Sequence, residues 1–318
     1  MSEQTHKVNR QKRIVRFLSS TVDFIVLLIL LILLAFASYA LWDSHTFYIE
    51  AGAAQYETYK PKADDTMPFD ELRKINPDVT GWLTVYGTGI DYPVVRSPQS
   101  NDDYLSRNAK GEVEGSGSIF LDSHNSADFS DFNTIIFGHH MSSHAMFGDI
   151  DLFTSQSFFN EHEHGNLFYN GTDHGVDFFA FIKADAYDSS LYSPALQGRE
   201  AQQNYLNYIW QNAEYTRSMN VTPDDHIVLL STCSQDVTNG RYVLVGKITN
   251  ETYADPYAEE AAANKKSNFD FFSVISRVGK LPVWLWIAIL ILLIALVSLE
   301  LHRLKKKREK ARKERDSR

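Results

Sequence analysis

The chain has almost no cysteine: Cys233 stands alone among 318 residues. No disulfide can form within the chain, so that thiol is either inert core or reactive chemistry. Internal repeats are absent. Basic residues are scarce except at the two ends. Of 31 basic and 40 acidic groups, 15 and 4 lie within 1–17 and 302–318, which leaves 16 basic against 36 acidic between them. So acidic a surface argues against a nucleic-acid partner.

Two long apolar runs are present. Phe24 to Trp42 and Leu281 to Leu299 each span 19 residues, enough for a helix to cross a bilayer core. Trp284 and Trp286 suit an interfacial belt. Lys7, Arg10, Lys12, Arg13 and Arg16 precede the first run, and Arg303 with Lys305 to Arg308 follows the second. Positive flanks mark the cytoplasmic side, so both ends point inward and the stretch between them lies outside. The first run can also be read as a cleaved signal peptide, although it is long for one and Ala35-Phe36-Ala37 is a weak cleavage pattern. The basic tail beside a membrane helix suits anionic lipid.

Between the runs the pattern is mostly β. Trp82 to Tyr86 and Ile90 to Val95 flank a Gly87-Thr88-Gly89 turn, a hairpin pattern. Ser118 to Leu121, Thr134 to Phe137, Val176 to Ala184, Ile227 to Leu230 and Tyr242 to Ile248 bring the count to six or seven strands. Strands this short predict a barrel or sandwich. Thr66 is placed to cap a helix through Phe69 to Ile75, stopped before Pro77. A longer helix is expected over Ser193 to Ala213, where Tyr205, Leu206, Ile209 and Ala213 fall on one face. The polar stretches 43–66 and 250–272 read as tethers, and Glu161-His162-Glu163-His164 as a polar loop.

Cys233 ends the run His226-Ile227-Val228-Leu229-Leu230-Ser231-Thr232-Cys233, and Arg241 opens the run after it. Upstream, Asn133-Thr134-Ile135-Ile136-Phe137-Gly138 leads into His139 and His140. A free thiol has a pKa of about 8.5, so neutral pH ionises only a minority; a nearby imidazole and a cation favour the thiolate, whereas burial opposes it. If the strands ending at Phe137 and Leu230 are neighbours, a histidine meets Cys233. If the strand opening at Arg241 pairs with the one before it, Arg241 returns to the same edge. Spacing alone does not prove either, and a cysteine after a buried strand is often just a small hydrophobe. The pattern nevertheless points to a cysteine-based acyl transferase or peptidase.

These segments resemble the active-site motifs of sortases. The resemblance runs in order through Phe69 to Leu72, Ile75 to Leu83, Ile90 to Val95, Gly117 to Asp122 and Met146-Phe147-Gly148, which look like class B. It covers roughly 69 to 249 and takes in a helix similar to the class B insertion. It implies a mainly β fold with peripheral helices: an eight-stranded β-barrel, here flanked by two transmembrane helices. It also implies a cysteine transpeptidase that cuts a C-terminal sorting signal of secreted proteins after threonine. The enzyme holds a thioester and passes the acyl group to an amine on peptidoglycan precursor or on a pilin. By position Cys233 is then the nucleophile, His139 the acid and base, and Arg241 the oxyanion partner. Ser231 and Thr232 are supporting positions.

The family pattern places its histidine directly after glycine, which favours His139 over His140. Asp236 is close in sequence and is assigned no role. No cofactor or metal is implied; the histidine-rich middle lacks zinc-ligand spacing, and the Asn-x-Thr sites are too short a motif to carry weight. The resulting organisation is a cytoplasmic N-terminus (1–17), a transmembrane helix (18–42), a tether (43–66) and an extracytoplasmic catalytic domain (67–250). A tether (251–280), a second transmembrane helix (281–301) and a cytoplasmic tail (302–318) follow. A second membrane helix is more like the pilin-polymerising class C enzymes, yet their Asp-Pro-aromatic lid motif is absent before the first strand. Asp255-Pro256-Tyr257 lies on the far side of the domain. The alternative is a non-catalytic membrane-anchored ectodomain, a receptor or scaffold with a degenerate site.

Overall fold

The computed structural model describes residues 2–62, 65–141, 144–233 and 238–259, with 303 and 306 as isolated positions. The second apolar run, most of the second tether and Asp236 lie outside the described residues. The chain divides into two units, Met1–Ala258 and Glu259–Arg318. The described strands lie in the first unit.

Helix α1 (Ser2–Glu50) contains a 26-residue span, Leu18–Asp43, long and apolar enough to cross a membrane and with no part buried. The stretch 43–66, expected as a tether, is instead the end of α1 followed by a 3-10 turn, Ala53–Tyr59. Ala51 and Tyr56 are buried, and the Tyr92 hydroxyl donates to the Ala51 carbonyl (3.0 Å). Helix α2 (Met67–Ile75) comes next. Thr66 does not cap it through its side chain; Asp65 Oδ1 accepts from the Met67 N–H instead (3.1 Å).

Among the described residues nine strands form one sheet: β1 (Val79–Val85), β2 (Asp91–Val95), β3 (Ile119–Leu121), β4 (Asn133–Phe137), β5 (His164–Tyr169), β6 (Thr172–Asp185), β7 (Ala213–Thr216), β8 (His226–Cys233) and β9 (Gly240–Thr249). Their order is β5-β1-β2-β3-β4-β8-β9-β6-β7, and a further β5–β6 pairing closes eight of them into a barrel. The short β7 extends the edge of β6 beyond β5, at Ala180 to Ile182. Strand β5 corrects the loop reading of 161–164: Glu161 ends a short helix, α3 (Gln156–Glu161), and His164 opens β5.

Side chains alternate across a strand, and here the alternation feeds two cores. Ile136, Val228, Leu230 and Leu244 belong to the larger cluster that fills the barrel. Ile135, Ile227, Leu229, Val243 and Val245 face outward into a second cluster. Helix α4 (Arg199–Asn212) covers that face with Tyr205, Leu206 and Ile209, each worth about 1.5–3 kcal/mol by burial. The expected helix begins six residues later than the sequence pattern suggested. The preceding segment contains Pro194, and Ala195 adopts φ +53°.

After β9 the chain packs back on the barrel. The Tyr253 ring stacks on His164 (3.9 Å between centroids) and Tyr257 on His162 (4.7 Å). The first residues of the expected second tether are therefore part of the folded body.

Candidate functional site

The site forms where β4, β8 and β9 end side by side. Strands β4 and β8 run parallel, with Phe137 beside Ser231. One further bond, from Gly138 N–H to the Ser231 carbonyl (3.2 Å), carries the pairing past the end of β4. His139 and Cys233 thus each lie two residues beyond the same rung. Strands β8 and β9 are antiparallel, and Cys233 is paired with Arg241. The three residues brought together by sequence pattern are brought together by topology.

Alternation also selects their face. Residues 227, 229, 231 and 233 of β8 share one side, as do 241, 243 and 245 of β9, and both rows join the α4-covered cluster. Cys233 is exposed at the open end of that row. Ser231, deeper on the same face, is only 1% exposed. Thr232 has the opposite parity, and its buried hydroxyl has no partner among the described residues.

Gly138 is required by packing. A Cβ there would lie 2.8 Å from the ring of Phe147. The Phe147 N–H donates to the His139 carbonyl (3.0 Å), so the Met146-Phe147-Gly148 segment clamps the turn that presents His139. Gly148 lets the Met141 carbonyl pass at a distance no Cβ would allow.

The two histidines differ sharply. His140 has a side chain only 9% exposed and its Nε2 is 2.5 Å from Asp151 Oδ2. His139 remains partly exposed, and its Nε2 meets the Leu105 carbonyl at 2.9 Å. Arg241 is half-buried, with Nη1 donating to the Gly240 carbonyl (3.0 Å).

Two neighbours were not foreseen. Tyr192, in the segment between β6 and α4, shares a hydrogen bond with Ser231 Oγ (2.8 Å) and stacks on Phe137. Burial pushes its phenol up to about 12; the Ser231 bond and the Arg241 charge pull it down, while Asp188 and Cys233 add to the rise. Tyr192 thus belongs to the electrostatic surroundings of Cys233. Leu105 contributes only a backbone carbonyl, which leaves no mark in a sequence pattern.

Other histidines among the described residues serve packing and polar pairing. His162 is sandwiched between Phe158 and Tyr257, and His174 stacks on Tyr169. Among the described residues no group of three or more His, Cys, Asp or Glu is arranged to hold a metal.

No protein-family model matches the chain. Sortase B of Listeria monocytogenes is 36% identical over 185 residues, which cover 57% of this chain and 74% of that protein. The chain belongs to the sortase B family. A sortase B from the type II pilus of Streptococcus pneumoniae is 43% identical, with a TM-score of 0.51 and coverage of 57% of this chain and 99% of that one. The structure of a Staphylococcus aureus sortase B–substrate complex is 30% identical, with a TM-score of 0.53 and coverage of 57% and 84%. Membership in the sortase B family makes this chain a cysteine transpeptidase and sets aside the non-catalytic ectodomain. Its eight-stranded barrel is the sortase B fold.

Proposed function

We propose that Cys233 is the nucleophile, His139 the proton carrier and Arg241 the oxyanion partner of a transpeptidation that assembles surface structures. The Cys233 thiolate attacks the carbonyl carbon of a threonine in a C-terminal sorting signal. As the peptide C–N bond breaks, His139 gives its proton to the leaving amine, and a thioester remains. An incoming amine then attacks the thioester. His139 takes that amine's proton, and the thiolate leaves. Arg241 holds the carbonyl oxygen while it carries negative charge, with a cation that does not titrate.

The observation that supports this reading most is the strand pairing at one end of the sheet: Cys233 on β8 pairs with Arg241 on β9, and His139 lies two residues past the Phe137–Ser231 rung, as Cys233 does. Ser231, bound to Tyr192, supports the wall of the site rather than the chemistry. Thr232, facing the other way, supports the barrel lining. For the acceptor we favour a pilin amine over a peptidoglycan-precursor amine. The 43% identity to a pilus sortase supports that choice. The second apolar run supports a two-pass protein with both termini in the cytoplasm and the barrel outside.

The test incubates the detergent-solubilised chain with sorting-signal peptides and candidate amines, followed by mass spectrometry of Cys233. An acyl adduct on Cys233, resolved by a pilin lysine peptide and absent in Cys233→Ala, is the expected result. Full turnover in Cys233→Ala would overturn the mechanism. Resolution only by a peptidoglycan-type amine would overturn the pilin assignment.

A further inference from the structure

We propose that His139 moves protons through Nδ1 alone, because the Leu105 carbonyl keeps Nε2 permanently protonated. The connection between β2 and β3 that carries Leu105 is then a positioning element for the reaction. This rests on His139 being the acid and base.

A carbonyl oxygen only accepts hydrogen bonds. The 2.9 Å contact between His139 Nε2 and Leu105 O therefore requires a proton on Nε2. Turning the ring over would place a carbon against the carbonyl and forfeit the bond. In the neutral ring the bare nitrogen is then Nδ1, and in the imidazolium the proton that leaves is the one on Nδ1. During acylation the Nδ1 proton passes to the departing amine as the Cys233 S–C bond forms and the peptide C–N bond breaks. During resolution Nδ1 takes the proton of the incoming amine as the new N–C bond forms and the S–C bond breaks. The Nε2 proton stays in place throughout.

The carbonyl is itself held in position. The Leu105 N–H bonds to Asp102 O (3.3 Å), and the Ser118 N–H bonds to Tyr104 O (3.0 Å). Ser118 Oγ donates to Arg107 O (2.7 Å). The Tyr104 hydroxyl is anchored on Asp78 Oδ2 (2.7 Å). Gly117 makes the close approach possible: its φ is +64°, and a Cβ would fall 2.6 Å and 2.7 Å from the carbonyl oxygens of Tyr104 and Leu105. A side chain at 117 would displace the acceptor that sets the His139 tautomer.

The test is a long-range proton–nitrogen spectrum of the full chain in detergent, with labelled histidine and with His139 assigned from the His139→Gln variant. The expected result is a neutral His139 protonated on Nε2. A ring protonated on Nδ1, or an even mixture, overturns the inference. In Gly117→Ala and, as a milder variant, Ser118→Ala, kcat should fall while KM for the peptide holds. The limb of the pH–rate profile set by His139 should also move. The loss in Gly117→Ala is expected to be up to about a hundredfold, as when a catalytic group is misplaced by about 1 Å. Folded variants of both kinds with unchanged kcat and pH profile overturn the positioning role. If His139→Gln keeps full turnover, the acid–base reading fails whatever the tautomer. If it abolishes turnover and the spectrum shows Nδ1–H, the tautomer proposal alone fails.

Discussion

Cys233 and Arg241 are direct cross-strand partners on β8 and β9. A pleated ladder keeps such a pair within side-chain reach on one face, so Arg241 can reach the thiol without any loop having to close. Loss of an oxyanion donor typically costs about 10²–10³ in kcat. Arg241→Ala is expected to fall in that range with little change in Tm, because the side chain is only half-buried and its Nη1 bonds to the carbonyl of the neighbouring Gly240. Arg241→Lys is expected to recover only part of the loss, since an ammonium lacks the guanidinium fork. Steady-state kinetics with a sorting-signal peptide measure both; wild-type kcat in Arg241→Ala would remove Arg241 from the site.

His139 and His140 should separate stability from activity. Removing the His140 ring takes away the partner of Asp151 Oδ2 and the packing of a side chain only 9% exposed, at a cost of about 0.5–3 kcal/mol. His140→Ala is therefore expected to melt earlier but turn over, while His139→Ala keeps its Tm and loses turnover. Thermal melts run beside the transpeptidation assay check this. The reverse pattern would transfer the acid–base role to His140.

Tyr192 and Ser231 should be energetically coupled. Tyr192→Phe leaves the buried Ser231 hydroxyl without its bond, expected to cost about 1–3 kcal/mol. Adding Ser231→Ala removes the orphaned group, so the double variant should be no less stable than Tyr192→Phe. A double-mutant cycle on denaturation free energies reads the coupling; strict additivity would show that the bond contributes nothing.

Alkaline pH should weaken the fold. Burial raises Tyr86 and Tyr192 to about 12 and pushes Tyr56, Tyr92 and Tyr205 higher still, against an ordinary value of 10.0. Above pH 10.0 the unfolded chain releases these protons while the folded one retains them. Stability is thus fully present below that pH and declines as pH rises through the folded values. Denaturation midpoints on either side of pH 10.0 are expected to fall on the alkaline side. Phenolate absorbance of these residues should appear with unfolding rather than before it. Midpoints that hold steady would place these rings in water.

The amino-acid pattern alone was enough to mark β4, β8 and β9, because apolar residues crowd runs that end in His139, Cys233 and next to Arg241. It also marked the buried face of α4 and an apolar segment long enough to span a membrane. These are local properties: periodicity and run length survive in one dimension. Strand β5 was invisible for the opposite reason. His164-Gly165-Asn166 has poor strand propensity, and it is a strand only because β1 and β6 offer it two ladders at the seam of the barrel. The stretches 43–66 and 250–272 looked like tethers because they are polar, yet Tyr56, Tyr253 and Tyr257 find partners from distant elements. Register decided the site. A pleat of period two places Cys233 and Ser231 on one face and Thr232 on the other. The Leu105 carbonyl and the Tyr192 hydroxyl reached the site through contacts spanning 34 and 39 residues of chain, which no local pattern encodes.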